Sequence, residues 1–339
     1  MRPRNTDCPE SEAGGAGETG GVTSIGKPPR MPLLPSAPSY REYHAGGAPI
    51  TAVRHVRKMR GGTQAHLLEA NDGHWYVVKF RNNPQHRRVL VNEILSATLL
   101  EYLQIAVPVT ALIEISSEFL AANHEVCLTC GQKRIPVEPG KHFGSRYPGD
   151  PNGMAVYDFL PEALRSQVVN LEDFRAVLVF DKWVGNTDGR QSIFYRALVR
   201  REMAQEAQPG FVARMIDHGF AFNGPSWDFG DAPLHGLYSR HAVYDSVRSL
   251  EDFQPWLSQV IHFPEEVIDR AWKRVPLKWI EGDEDALVQL LERLYARRAR
   301  VPELIAACGG ASGNPFQNWA EQPPKAGRES SQPARRRGG

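Results

Sequence analysis

Lys79 closes an apolar run, Trp75-Tyr76-Val77-Val78-Lys79-Phe80. In an extended strand alternate side chains share a face, which puts Lys79 beside Trp75 and Val77, and a cation among apolar neighbours needs an anionic partner. Glu93, in Val91-Asn92-Glu93-Ile94 of the next element, is a carboxylate able to orient it. Taken singly, the two residues also read as an edge-strand lysine and a solvated helix face. Asp188 stands in Trp183-Val184-Gly185-Asn186-Thr187-Asp188-Gly189-Arg190-Gln191, where Gly185, Asn186 and Gly189 break a helix and leave the carboxylate on a tight loop. So placed, it can accept the proton of an attacking hydroxyl, and the same residues also suit a helix-ending Asx turn. Asp217 ends the run Met215-Ile216-Asp217-His218-Gly219-Phe220. Gly219 permits a sharp turn there and a carboxylate oxygen suits Mg²⁺, although an aspartate in a β-turn looks the same.

Ahead of these lies Gly61-Gly62-Thr63-Gln64, just before a strand. Glycines at that point let backbone N–H groups approach anionic phosphate oxygens, and a Gly-Gly pair after Lys58-Met59-Arg60 also reads as a plain turn. Each segment is weak alone, and their order carries the inference. A glycine loop, a lysine, a carboxylate, a loop aspartate and a second aspartate 29 positions later suit phosphoryl transfer, where a protein mainly positions phosphates and neutralises their charge. The interval between Asp188 and Asp217 leaves room for a hairpin.

The positioning elements follow from periodicity. Short β-type runs, ITAVRHVRKM, TQAHLLEA and HWYVVKF, occupy the region from Pro49, with Asn71-Asp72-Gly73 as a turn between the last two. RRVLVNEILSATLLEYLQ interrupts them as a helix whose apolar face is Val91, Ile94, Leu95, Thr98 and Tyr102. PVTALIEI and HEVCLTC resume the sheet. After Pro151 the chain turns mainly helical, with LEDFRAVLVFDKWVG, SLEDFQPWLSQVIH, FPEEVIDRAWKRV and DEDALVQLLERLYARRARVPELI as the stronger segments. Asn170 is expected to cap the first, with Asp173 near its positive end. The fold class is therefore α+β, a small β-rich part followed by a larger helical one.

GGTQ, VVKF, NE, GNTDGRQ and IDHG in this order resemble the HipA-like kinases over roughly residues 50–300. The resemblance implies a two-lobed protein-kinase-like fold, with a β-rich N-lobe over 41–154 and a helical C-lobe over 155–308. It implies ATP and Mg²⁺ as cofactors. ATP would be gripped by the loop Gly61, Gly62, Thr63 and Gln64 and contacted by Lys79, itself supported by Glu93. The adenine would lie at a hinge containing Tyr157, Asp158 and Phe159, with 142–151 as its approach. Asp188 would be the catalytic base and Asp217 a metal ligand. Two positions depart from the family pattern. Ile193 stands five residues after Asp188, where a metal-binding Asn is usual, leaving the Gln191 amide oxygen as a substitute. Arg190 stands where His is common, with phosphate as its expected contact.

Composition narrows the classes further. The 339 residues carry 40 Lys+Arg against 39 Asp+Glu, so no net field points to nucleic acid. The longest apolar stretch, Ile105 to Ile115, is interrupted by Pro108 and Glu114 and is too short to span a bilayer, so no membrane segment is expected. Four cysteines, Cys8, Cys127, Cys130 and Cys308, are too scattered for a disulfide framework, and the N-terminus lacks a secretory apolar core, so the expected location is cytoplasmic. Cys127 and Cys130 form one CxxC without a second pair and read as structural cysteines, with a site completed by His124 and His142 as the alternative. Residues 1–40 and 309–339, rich in Gly, Ser, Pro and charge, read as disordered tails. Three functions fit: a Ser/Thr protein kinase, a kinase of a small molecule or lipid, and a nucleotide-binding module without turnover, the last motivated by Ile193.

Overall fold

The computed structural model describes residues 48–199 and 208–320, all of them within one compact unit. The first elements are β1 (Ile50–Lys58), β2 (His66–Ala70), β3 (Trp75–Lys79), α1 (Arg88–Tyr102), β4 (Thr110–Ile115), α2 (Ser117–Ala122), β5 (Cys127–Cys130), β6 (Lys133–Pro136) and β7 (Gly140–Arg146). β1, β2, β3, β7 and β4 close into a barrel in that order, sealed where β4 runs parallel to β1 through Ile50 opposite Ile113. Alternation decides what fills it: Leu68, Tyr76, Val78, Ala111, Ile113 and Ile115 point inward and are buried. Gly144 of β7 is required by closeness, since a Cβ there would lie 2.5 Å from Ile113 Cγ1. β5 and β6 form a separate hairpin.

β8 (Val156–Tyr157), α3 (Asp173–Val184), β9 (Gln191–Val199) and β10 (Gln208–Ile216) follow, with β9 central between β10 and β8. The expected hairpin between the two aspartates is thus β9–β10, and its tip at 200–207 lies outside the described residues. Helices α4 (Trp256–Ile261), α5 (Glu265–Lys273), α6 (Leu277–Ile280), α7 (Glu284–Arg297) and α8 (Val301–Gly309) complete the chain. The long helix expected over 283–305 is split between α7 and α8, with Pro302 tolerated in the first turn of α8 because its missing N–H would be unpaired there anyway. α3 is the axis of the larger core: every residue from Ala176 to Val184 is buried, and Trp183 donates its indole N–H to Leu294 O of α7 at 2.9 Å.

Three expectations change. α1 is not an amphipathic surface helix: everything from Val89 to Leu100 is buried, Asn92 and Glu93 included, because it packs against α5, α6 and β7 at once. Only near its end, at Tyr102, does it reach solvent. Asn170 does not cap α3. Its side chain instead clamps Ala213 through N–H and carbonyl and donates to Asp173, whose carboxyl is lifted by burial to about 6 and also accepts from Ala106 N–H. The tail expected from 309 does not begin there. Phe316 is 1% exposed, its ring 5.6 Å from Phe253, and Trp319 covers Gly309 so closely that a Cβ there would stand 2.4 Å from the indole. The remainder of the expected tails, 1–40 and 321–339, lies outside the described residues.

Phe316→Ala is therefore expected to destabilise the protein by about 3–5 kcal/mol, the range for a fully buried aromatic, as measured by urea unfolding. A loss below about 0.5 kcal/mol, the scale of a surface substitution, would return residues 310–320 to the tail.

Candidate functional site

Lys79, the last residue of β3, is buried, and its ammonium donates to Glu93 Oε1 from α1 and, at 2.7 Å, to Asp217 Oδ1 just past β10. Three elements separated by 14 and 138 residues thus meet on one nitrogen. Burial alone would lower the Lys79 pKa; the two carboxylates outweigh it and raise it above the ordinary lysine value. Asp217 is held below the usual carboxylate range, chiefly by Lys79, whereas burial pushes Glu93 up against the pull of the same lysine. The charged form of Lys79 is therefore favoured, and of the two carboxylates Asp217 is the more firmly ionised and the more exposed, with 23% of its side chain open against 3% for Glu93. Asp217 also adopts a left-handed backbone, φ 58°, uncommon for a residue with a side chain.

That strain does not stand alone. Phe222, Asn223, Trp227 and Phe229 share positive φ between 53° and 59°. Asn92, the neighbour of Glu93 and fully buried, holds the turn: its amide N–H₂ is shared among the carbonyls of Gly219, Ala221 and Gly224 at 2.8–3.0 Å, and its carbonyl accepts from the Trp227 indole at 2.8 Å. Arg88, on the same helix, stacks 4.3 Å above Trp227 and forks onto Asp283. The Lys79-orienting helix and the Asp217 turn are consequently one rigid piece.

Gly185 ends α3 in the left-handed region, φ 58°. The Asx turn is present, with Asn186 Oδ1 accepting from Asp188 N–H at 3.1 Å; the Asp188 carboxylate is exposed, its Oδ1 accepting from Gly189 N–H at 2.8 Å. Thr187 N–H donates to Phe220 O and Asn223 N–H to Gly185 O, so the Asp188 loop is fastened to the Asp217 turn. Gly236 N–H donates to Asp188 O from the other side.

Arg190 is corrected by the structure. It does not face a phosphate: it is buried, forks onto Asp181 of α3, and donates to Ile216 O at 2.8 Å and His218 Nδ1 at 3.0 Å. Accepting there keeps His218 neutral, and burial together with Arg190 holds its pKa well below the ordinary imidazole value. Gln191 begins β9 exposed and opposite Ile216, one residue from Asp217 in register. Ile193 lies inside β9, opposite Arg214 and half-buried, and is therefore a strand residue and not a loop residue.

The glycine loop lies at the Lys79 end of the barrel, because Lys58 pairs with His66 and His66 with Val78. Gly61 and Gly62 are exposed, Gly61 has φ 114°, and the amides of Gly61, Gly62 and Thr63 donate to no carbonyl among the described residues. The Gln64 side chain is not free for a ligand. Its amide pairs with Thr129 on both sides, N–H and carbonyl, at 2.7 Å and ties the loop to β5. Tyr157, Asp158 and Phe159 are exposed; Tyr157 pairs with Phe194, Phe159 lies under Arg240 at 4.6 Å, and none makes a hydrogen bond or ion pair to the Lys79 cluster. His142 is committed to Arg81 N–H and Glu138 O, and Cys127 and Cys130 are free thiols. No group of three or more potential metal-ligating side chains occurs among the described residues, and no described helix is long and apolar enough to cross a membrane.

A family model described as HipA-like kinase matches residues 50–301. The chain belongs to the HipA-like kinase family. Among solved structures this HipA-like chain is similar to the Golgi casein kinase, at 14% identity and TM-score 0.43 with Mn/ADP bound and at 16% and 0.44 in a second crystal structure. In both, 79% of this chain and 75% of that one are covered. No curated protein matches the chain. Sequence reasoning missed Asn92, Asp181 and His218 in this HipA-like site. Asn92 stood beside Glu93 in the quoted motif, and its only local signal was an amide inside an otherwise apolar helix.

Asn92→Ala would strand three carbonyls and an indole N–H, so a loss of about 1–3 kcal/mol or more is expected in denaturant unfolding. Asn92→Asp should not rescue it, since a carboxylate cannot donate to carbonyls. Wild-type stability in Asn92→Ala would remove the turn from its control.

Proposed function

We propose that this chain transfers phosphate from ATP, with Mg²⁺, to the hydroxyl of a Ser or Thr in a protein, through a two-lobed arrangement with 41–154 as N-lobe and 155–308 as C-lobe. The observation that carries the reading is the buried Lys79 ammonium bridged between Glu93 and Asp217. The donor set fits the cofactor: Lys79 would hold phosphate oxygens with Glu93 fixing its aim, Asp217 would ligate the metal, and the unengaged amides at Gly61 to Thr63 would meet phosphate. A bound Mg²⁺ neutralises phosphate charge. Asp188, exposed on a loop pinned on both sides, would accept the proton of the attacking hydroxyl. Tyr157 to Phe159 remain the proposed adenine edge, and cytoplasm the proposed location.

A second reading, a nucleotide-binding module that does not turn over, is favoured by one observation: with Ile193 inside β9 and Arg190 buried, Gln191 is left as the second metal ligand. Autophosphorylation measured beside ATP binding separates the two, and a substrate screen separates protein from small-molecule or lipid acceptors.

Asp188→Asn is expected to retain fold and ATP affinity while turnover falls by at least ~10²-fold. Lys79→Met should weaken ATP binding, with Glu93→Gln adding little on top of it, because groups acting as a unit are not additive. An active Asp188→Asn enzyme, or additive losses at 79 and 93, would count against these roles.

At the second metal position the expectation is that Gln191→Ala raises the Mg²⁺ needed for half-maximal activity, while Ile193→Asn leaves it unchanged. A Mg²⁺ titration showing the reverse would place Ile193 at the metal.

A further inference from the structure

Behind the Asp188 loop lies a cavity of about 240 Å³ that none of Lys79, Glu93, Asp188 or Asp217 lines. Its walls come from the end of α3 and Gly185-Asn186, the segment 230–235, Arg297 of α7, and the stretch from Arg300 to Ala307. Six ionised side chains contribute to it. Asp181 is neutralised by the buried Arg190, while Arg297 and Arg300 face Asp231 and Glu303. Lys182 is the lining cation that makes no salt bridge among the described residues.

Lys182 is 5% exposed, and among the described residues it makes no ion pair. Its ammonium donates to the carbonyls of Pro233 and His235, both at 2.7 Å and both from residues of the cavity wall. An ammonium has three N–H donors, so one remains. Lysines this deeply buried are ordinarily paired with an anion. Here the directly bonded partners are carbonyl dipoles, Asp181 and Asp231 act on the charge only from beyond ion-pair distance, and burial drags the Lys182 pKa below its ordinary value. Apolar wall is supplied by Ala232, Leu304 and Ala307, beside the paired charges and Asn186.

We infer that this cavity binds a small monocarboxylate, its carboxylate taking the remaining N–H of Lys182 and its apolar body lying against Leu304 and Ala307. One uncompensated positive charge selects a single negative charge over a dianion such as phosphate. The volume lies below the roughly 300–1,000 Å³ of pockets for drug-sized ligands, which limits the occupant to about the size of benzoate. Because the segment carrying Pro233 and His235 continues into Gly236, whose N–H holds Asp188 O, an occupant would stiffen the Asp188 loop from behind. The site itself does not depend on whether the chain transfers phosphate.

The test is thermal unfolding of the full chain titrated with benzoate, with the neutral isostere benzamide and inorganic phosphate in parallel. Benzoate is expected to raise the melting temperature saturably, with benzamide and phosphate each at least ~10-fold weaker. Ala307→Trp, which fills the cavity from an exposed position on α8, should abolish the benzoate response while leaving the ligand-free melt near wild type. Lys182→Met should abolish it as well. No saturable response in the wild type, an equal response to benzamide, a stronger one to phosphate, or a benzoate response that survives Ala307→Trp would each overturn the inference.

Discussion

An ammonium group taken out of water has to be answered by negative charge, and Lys79 imposes that condition on most of the chain. Its partners are supplied by α1 and by the turn after β10, so the barrel, the helix and the hairpin can assemble in only one mutual arrangement. Such a cluster is a poor stability device, because the desolvation of three charged groups offsets much of their attraction and apolar residues of equal volume often do as well. Retaining it makes sense where the charges have work to do on a ligand. The two carboxylates differ: Glu93 is sealed and pushed upward by burial, while Asp217 is partly open and held ionised.

The second constraint is backbone strain. A run of side-chain-bearing residues in the left-handed region from Asp217 to Phe229 persists only if the surroundings over-determine it. Asn92 supplies that from α1, and the backbone bonds from Thr187 and Asn223 extend it to the Asp188 loop. Beneath both loops the buried Arg190 joins Asp181, Ile216 and His218, so a single guanidinium sets the height of one loop against the other. The site is therefore pre-organised by three side chains that touch no expected ligand atom, Asn92, Asp181 and Arg190. Lys182 and the Arg297–Asp231 pair do the same for the segment on the far side of Asp188.

What the sequence determined by itself was whatever depends on near neighbours. Alternation in Trp75 to Phe80 and in Thr110 to Ile115 marked strands, the Asn71-Asp72-Gly73 turn and the break at Gly185 marked ends, and the order of short motifs marked the family. These signals are local because strand period, turn conformation and helix termination are settled within a few residues. The tertiary structure alone decided which polar groups meet. Glu93 looked like a solvated helix face and is sealed, Arg190 looked like a phosphate ligand and is a buried strut, and Gln64 looked like part of a phosphate loop and is bound to Thr129. Asn170 looked like a cap and is a clamp on Ala213, and Phe316 looked like tail and is core. The partner lies 9 residues away for Arg190 and Asp181, 14 for Glu93 and Lys79, and tens of residues away for the others, and in each case it sits on a different element, so the contact leaves no periodic trace in the chain. Only the approach of packed elements creates the low-dielectric setting in which such a polar group must find its mate.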